Sequence, residues 1–226
     1  MTDLRIAAAG DAALLVELPP RIDAETSGRV IGLGQALRER CAAMVRDVVV
    51  GYCSLTVYFD PLTIDPAWLE AEIRSLAGHA APPGPATDRA TIDVPVCYGG
   101  EYGPDLDAVA AFAHATPDEA IALHTDALYR VYVVGFVPGF PYMAPVDPRI
   151  AVPRRATPRT KVPAGSVAIA AGQTGIYPSE TPGGWHLIGR THVKPYDALR
   201  AEPFLFRPGD GVRFHAVDRA EFERER

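Results

Sequence analysis

Over its first eighty residues the chain switches repeatedly between two hydrophobic periods. Leu4–Ala9 and Ala13–Leu18 read as short strands separated by Gly10-Asp11. Across Asp23–Met44, the residues Val30, Leu33, Leu37, Cys41 and Met44 recur at three- and four-residue steps, which predicts a helix. Gly32 and Gly34 within it either weaken the helix or mark a close packing contact. Val45–Val50 and Leu55–Phe59 are rich in β-branched and aromatic residues and predict strands. Asp65 followed by Pro66 starts a second helix, with Leu69, Ile73 and Leu76 on one face. The order ββαββα predicts an α+β domain over residues 1–79, a sheet covered by two helices.

Pro82, Pro83, Gly84 and Pro85 place four chain breakers within Ala80–Thr87, so residues 80–89 read as a linker. The second domain, residues 90–226, opens with a strand at Ala90–Cys97, followed by a helix over Asp105–His114. Thr116-Pro117-Asp118-Glu119 starts another helix, with Thr116 as N-cap, Pro117 in the first turn and Glu119 closing a capping box. Tyr129–Gly135 returns to strand. From Val137 to Pro208 the texture changes: twelve of the 22 prolines fall there, between short β-like runs such as Ser166–Ala170. Short strands joined by Gly/Pro turns predict a barrel or sandwich, with Phe204–His215 as a closing hairpin-like pair around Pro208-Gly209-Asp210-Gly211.

Composition narrows the function classes. The 226 residues, 48% apolar and 22% charged, are ordinary for a globular protein that buries a core. A net charge of −6 argues against nucleic acid bound through a broadly basic surface. Cys41, Cys53 and Cys97 form no C-x-x-C and no zinc-type cluster, so they read as small apolar residues and no metal site is expected. No apolar run approaches ~18 residues and the N-terminus lacks a signal-peptide pattern, so a cytoplasmic protein with no membrane partner is expected.

Charge distribution says more than net charge. Arg149, Arg154, Arg155, Arg159, Lys161, Arg190 and Lys194 fall in a stretch whose one acid is Glu180. That local excess can attract a carboxylate or phosphate, although the same residues could instead be solvated and paired with acids elsewhere. The block Ala171–Pro178 followed by Thr181–Arg190 is glycine-rich. It could bring Gln173, Thr174, Tyr177, Thr181, His186 and Arg190 around a ligand, or it could be a stack of β-turns. The rings of Gly135–Tyr142 could wall a pocket or pack into a loop core, and Phe140–Pro141 is a candidate cis bond. His124 falls on the apolar side of its helix and reads as a buried structural histidine. There is no P-loop, no G-x-S-x-G and no H-E-x-x-H. The residues alone support a pocket for a small anionic molecule, not a self-contained catalyst.

Tyr132–Tyr142 (YVVGFVPGFPY), Pro153–Arg159 (PRRATPR), Val162–Val167 (VPAGSV) and Gln173–Arg190 (QTGIYPSETPGGWHLIGR) closely resemble the family of 5-oxoprolinase B subunits. That family is also called allophanate hydrolase subunit 1 and includes a sporulation-kinase inhibitor. Ile92–Leu106, Phe206–Phe214 and Gly10–Val16 match it too, while Val50 departs from it, because members usually carry proline there.

The resemblance implies a small N-terminal α+β domain followed by a cyclophilin-like β-barrel domain. It implies one component of an ATP-dependent amide hydrolase that opens 5-oxo-L-proline to L-glutamate. Such a component works with a homologous, larger C subunit, together with a separate A subunit. ATP is the implied cofactor, bound either here or at a partner. In that frame Arg159 and His186 are the catalytic candidates. Arg154, Arg155, Gln173, Thr174, Tyr177, Thr181, Gly183, Gly184 and Arg190 are the candidates for binding a small anionic amide. Three alternatives stay open: a regulator that inhibits a sensor histidine kinase through Phe136–Tyr142, part of a carboxyltransferase for allophanate or urea, and a scaffold that completes its larger partner.

Overall fold

The computed structural model describes residues 4–79 and 91–224. The segment read as a linker, 80–89, lies outside them. The chain divides into two compact units, Met1–Asp88 and Arg89–Arg226.

In the first unit, β1 (Arg5–Ala8), β2 (Ala13–Glu17), β3 (Val45–Val50) and β4 (Ser54–Phe59) form an antiparallel sheet in the order β1-β2-β4-β3. Helices α1 (Ala24–Arg40) and α2 (Pro66–His79) supply the other half of the core. Asp23 caps α1, its carboxylate accepting the Thr26 N–H at 2.7 Å. Val30, Leu33, Leu37 and Cys41 are buried against Val48, Val57 and Phe59, so the helical stripe is the core face. The helix stops at Arg40 rather than running to Met44. Cys41–Met44 turn the chain, with the N–H groups of both Met44 and Val45 donating to the Cys41 carbonyl. That reversal lets β3 begin at Val45, opposite Phe59.

The second unit is a closed barrel in the order β10-β7-β6-β13-β5-β12-β9. Its strands are β5 (Thr91–Tyr98), β6 (Leu128–Val134), β7 (Pro141–Ala144), β9 (Ser166–Ala170), β10 (Gln173–Ile176), β12 (His186–Arg190) and β13 (Gly211–Ala216). Strands β8 (Arg159–Val162) and β11 (Thr181–Gly183) pair separately, and α3 (Leu106–Phe112), α4 (Pro117–Thr125) and α5 (Arg219–Arg224) complete the unit. The Thr116–Glu119 capping box is formed at the start of α4.

In this unit two features differ from the sequence expectation. Phe204–His215 is not a hairpin: Phe204 bridges instead to Tyr196, and β13 takes its partners from β5 and β6. The Gly209 N–H donates to Val131 while Asp210 accepts the Val131 N–H, so the turn docks on β6. β13 then runs between β5, in parallel, and β6, antiparallel. Among the described residues the cis X-Pro bond is Ala144–Pro145, not Phe140–Pro141.

Strand β9 is buried along its whole length. Val167 and Ile169 point into the barrel core, while Ala168 and Ala170 pack outward against Phe140, Tyr177, Trp185 and Leu187. The barrel therefore carries a second apolar layer on one side, and that layer bears the candidate site. His124 is buried inside the barrel, between Tyr98 and Thr174. Among the described residues no helix is long and apolar enough to cross a membrane, and no group of His, Cys, Asp or Glu is placed to hold a metal.

Candidate functional site

The arm 151–158, which carries Arg154 and Arg155, is tied down at several points. Val152 accepts the Ala171 N–H at 2.7 Å, and the Arg155 N–H donates to the Gly184 carbonyl at 2.9 Å. His186 Nε2 donates to the Pro153 carbonyl at 3.1 Å. The strongest tie is Asp105, just before α3. Its carboxylate accepts Arg155 Nη1 at 2.9 Å, both Arg159 Nη groups at 2.8 Å and the Leu187 N–H at 2.7 Å.

The Asp105 N–H in turn donates to the Leu187 carbonyl at 2.9 Å, so residue 105 clasps β12 from both ends. Gly103 permits this approach, because a Cβ there would fall 2.0 Å from the Ile188 carbonyl oxygen. Burial raises the Asp105 pKa, but the Arg159 and Leu187 hydrogen bonds and the two guanidinium charges outweigh it. The carboxyl is therefore held below the usual range and stays ionised. One acid offsets one of these two arginines, so with Arg154 the region keeps a net positive charge.

Beside this clasp lies a cleft of about 280 Å³. Phe140 is its centre, with Tyr142, Tyr177 and Trp185 at ring-centroid distances of 4.8, 5.0 and 5.4 Å in tilted or edge-on contacts. Phe136 stands at the edge, 63% exposed, its ring at 88° to that of Phe140. Its backbone is in the left-handed region, φ 67°, and the Val137 N–H donates to Gly135 across it at 2.8 Å, a strained three-residue turn.

Tyr177 accepts a hydrogen bond from the Trp185 backbone, which leaves its own proton to donate. Burial, with Tyr142 adding to it, pushes the Tyr177 phenol up to about 12, so it remains a donor at neutral pH. Gly183 lies directly on that hydroxyl: a Cβ there would be 2.2 Å from it. Arg154 reaches the cleft and is exposed, with no ion pair among the described residues.

The structure brings together part of the sequence-derived set. Arg154, Arg155, Tyr177, Gly183 and Gly184 line the cleft. Arg159 sits behind them on Asp105. His186 braces the arm through Pro153, and its Nδ1 is buried without a partner. Thr181 and Gln173 are half-buried on β11 and β10 and do not line the cleft.

Thr174 corrects the glycine-block reading. It faces the barrel interior, fully buried, where it meets His124 Nε2 at 2.9 Å and donates to the Ala168 carbonyl at 3.2 Å. Alternation along β10 sends Thr174 inward and Gly175 out against Phe140. Ala171-Gly172 is the β9–β10 turn, both residues at positive φ. Arg190 also lies elsewhere, lining a different cavity. Asp105 was legible in the sequence only as a helix start. Its role needs β8 and β12 beside it.

The chain matches the family described as carboxyltransferase domain, subdomain C and D, over residues 4–206. It is 35% identical over 222 residues to the 5-oxoprolinase B subunit of Bacillus subtilis, covering 94% of this chain and 92% of that protein. It is 39% identical over 214 residues to the protein of the same name from Escherichia coli O157:H7, covering 91% and 92%. The crystal structure of TTHA0988 superposes with a TM-score of 0.83 at 36% identity. That superposition covers 91% of this chain, which spans 40% of that longer chain. Together these place the chain in the family of 5-oxoprolinase B subunits, built on subdomains C and D of the carboxyltransferase domain.

Proposed function

We propose that this chain is the B subunit of an ATP-dependent hydrolase that opens 5-oxo-L-proline to L-glutamate, working with a larger homologous partner and a third, separate one. The observation that carries this reading is the aromatic cleft with one unpaired guanidinium beside it. 5-Oxoproline is a small lactam ring bearing one carboxylate. Its carboxylate meets Arg154, which offers a planar pair of N–H donors. The ring lies among Phe140, Tyr142 and Trp185, and the Tyr177 hydroxyl donates to the lactam oxygen, where negative charge builds as the amide is activated.

Arg159 and His186 act as positioning residues in this scheme. Arg159 joins Arg155 on Asp105, and His186 holds the Pro153 carbonyl, so both orient the arm that carries Arg154. ATP does not fit this cleft. At about 280 Å³ the space is at the small end for ligand pockets, its walls are aromatic and no P-loop is present. We place the nucleotide on a partner, and none of the roles above involves it.

The test is 5-oxoproline-dependent glutamate release with the partner subunits, with and without this chain. Release that requires this chain, with a KM for 5-oxoproline raised about 10- to 100-fold by Arg154→Gln, supports the reading. Full turnover without the chain refutes it. The exposed Phe136 also suits a protein-docking role. Inhibition of a sensor kinase that is lost in Phe136→Ser would favour the regulatory alternative.

A further inference from the structure

A second cavity, of about 390 Å³, opens where the end of β12 meets the loop after β5 and helix α5. It shares no lining residue with the aromatic cleft. Two guanidinium groups lie within 6 Å of the Tyr102 ring, Arg190 at 5.3 Å and Arg219 at 5.7 Å, and their circumstances differ. Arg219 is paired with two acids, bonding Glu101 through Nη2 at 2.5 Å and Glu223 through Nε at 2.6 Å. Arg190 makes no ion pair among the described residues, and its Nε is buried with no hydrogen-bond partner.

The aromatic face offsets part of the Arg190 charge, but it does not satisfy planar N–H donors. The side chain is nevertheless held in place. β12 pairs at Arg190 with Cys97 of β5 and with Ser166 of β9, and the Gly165 turn packs on its aliphatic stem. Phe222 supplies an apolar wall. Its ring contacts Tyr102 at 4.8 Å and stacks on His192 at 3.9 Å, and its carbonyl accepts His192 Nε2 at 2.8 Å.

We propose that this cavity is a binding site for the carboxylate of a small organic acid. The Arg190 fork takes the carboxylate, and the carbon body lies against Tyr102 and Phe222. Planar bidentate pairing matches a carboxylate to one guanidinium. Glu101 and Glu223 outnumber the one arginine they share, so a dianion such as phosphate meets more repulsion at this site than a monoanion does. The proposal is independent of the hydrolase reading, because none of its residues belongs to the aromatic cleft.

The test titrates the full chain with butyrate, neutral butyramide and inorganic phosphate, following backbone amide chemical shifts. Butyrate is expected to move Tyr102, Thr191, His192 and Phe222 saturably, phosphate to bind more weakly and butyramide not at all. Arg190→Gln should weaken butyrate at least about tenfold and Arg154→Gln should leave it unchanged. Arg190→Lys keeps the charge without the fork, and should bind several-fold more weakly than the wild type. The proposal is overturned by shifts confined to Phe136, Tyr177 and Trp185, or by no saturable shift up to about 50 mM. Phosphate binding tighter than butyrate, or either Arg190 variant binding as the wild type does, would also overturn it.

Discussion

His124 makes the barrel's stability depend on pH in a calculable way. Thr174 Oγ1 donates to the Ala168 carbonyl, so it accepts from His124 Nε2–H, and His124 Nδ1 accepts from the Tyr98 hydroxyl. The imidazole is thus neutral, with both nitrogens in use. Burial lowers its pKa from 6.5 to about 3. Between those values the unfolded chain takes up a proton that the folded chain refuses, so stability present above pH 6.5 is lost as the pH falls.

Integrated from pH 7 to pH 5, that one group costs about 2 kcal/mol. In His124→Gln the amide can still accept from Tyr98 and donate to Thr174, but it does not titrate. The variant is expected to start less stable by roughly 1–3 kcal/mol, from lost contacts to Tyr129 and Phe214, and to lose about 2 kcal/mol less than the wild type over the same pH interval. Urea unfolding at both pH values, followed through Trp185 in a Trp68→Phe background, reads the barrel by itself. Equal losses in the two proteins would show that His124 is not held neutral by burial.

Other consequences concern the candidate site. Asp105→Ala leaves two mostly buried guanidinium groups and the Leu187 N–H without their acceptor. It should cost about 3–5 kcal/mol in urea unfolding and loosen the Arg154 arm, seen as increased protease cleavage around residues 151–158. Gly183→Ala drives a methyl group into the hydroxyl and ring of the buried Tyr177, so it should cost about 1–3 kcal/mol in urea unfolding and lower hydrolase turnover in the assembled complex at least about tenfold. Phe136→Gly relaxes a left-handed residue and should raise stability by about 1 kcal/mol while raising the KM for 5-oxoproline. Phe136 lines the cleft edge, so an unchanged KM would show that the edge takes no part in holding substrate.

Much of the architecture was visible in one dimension. The strand Val45–Val50, the strand Ser166–Ala170 and the Thr116–Glu119 capping box follow from β-branched runs and from a cap whose partners are three residues apart. These signals are local: period, propensity and hydrogen bonds reach only a few residues along the chain. The helix that stops at Arg40 and the hairpin that is not formed failed for the opposite reason. Each depended on distant partners: β3 begins where β4 requires it, Phe204 bridges to Tyr196 and β13 pairs with β5.

The candidate site divides along the same line. Chemical type was readable from residue identity, because an arginine cluster, an aromatic loop and a glycine block each carry their chemistry in the side chains present. Grouping was not. Thr174 sits in the glycine block beside Tyr177, but only the closed barrel shows that its face is the interior, against His124, while Tyr177 just past β10 lines the cleft. Arg190 and Gly184 belong to one motif but to different cavities. Asp105 lies 50 and 54 residues from the arginines it holds. Such convergence comes from the packing of the separate β8–β11 pair and the start of α3 against barrel strand β12, and no periodicity within any of those segments encodes their meeting.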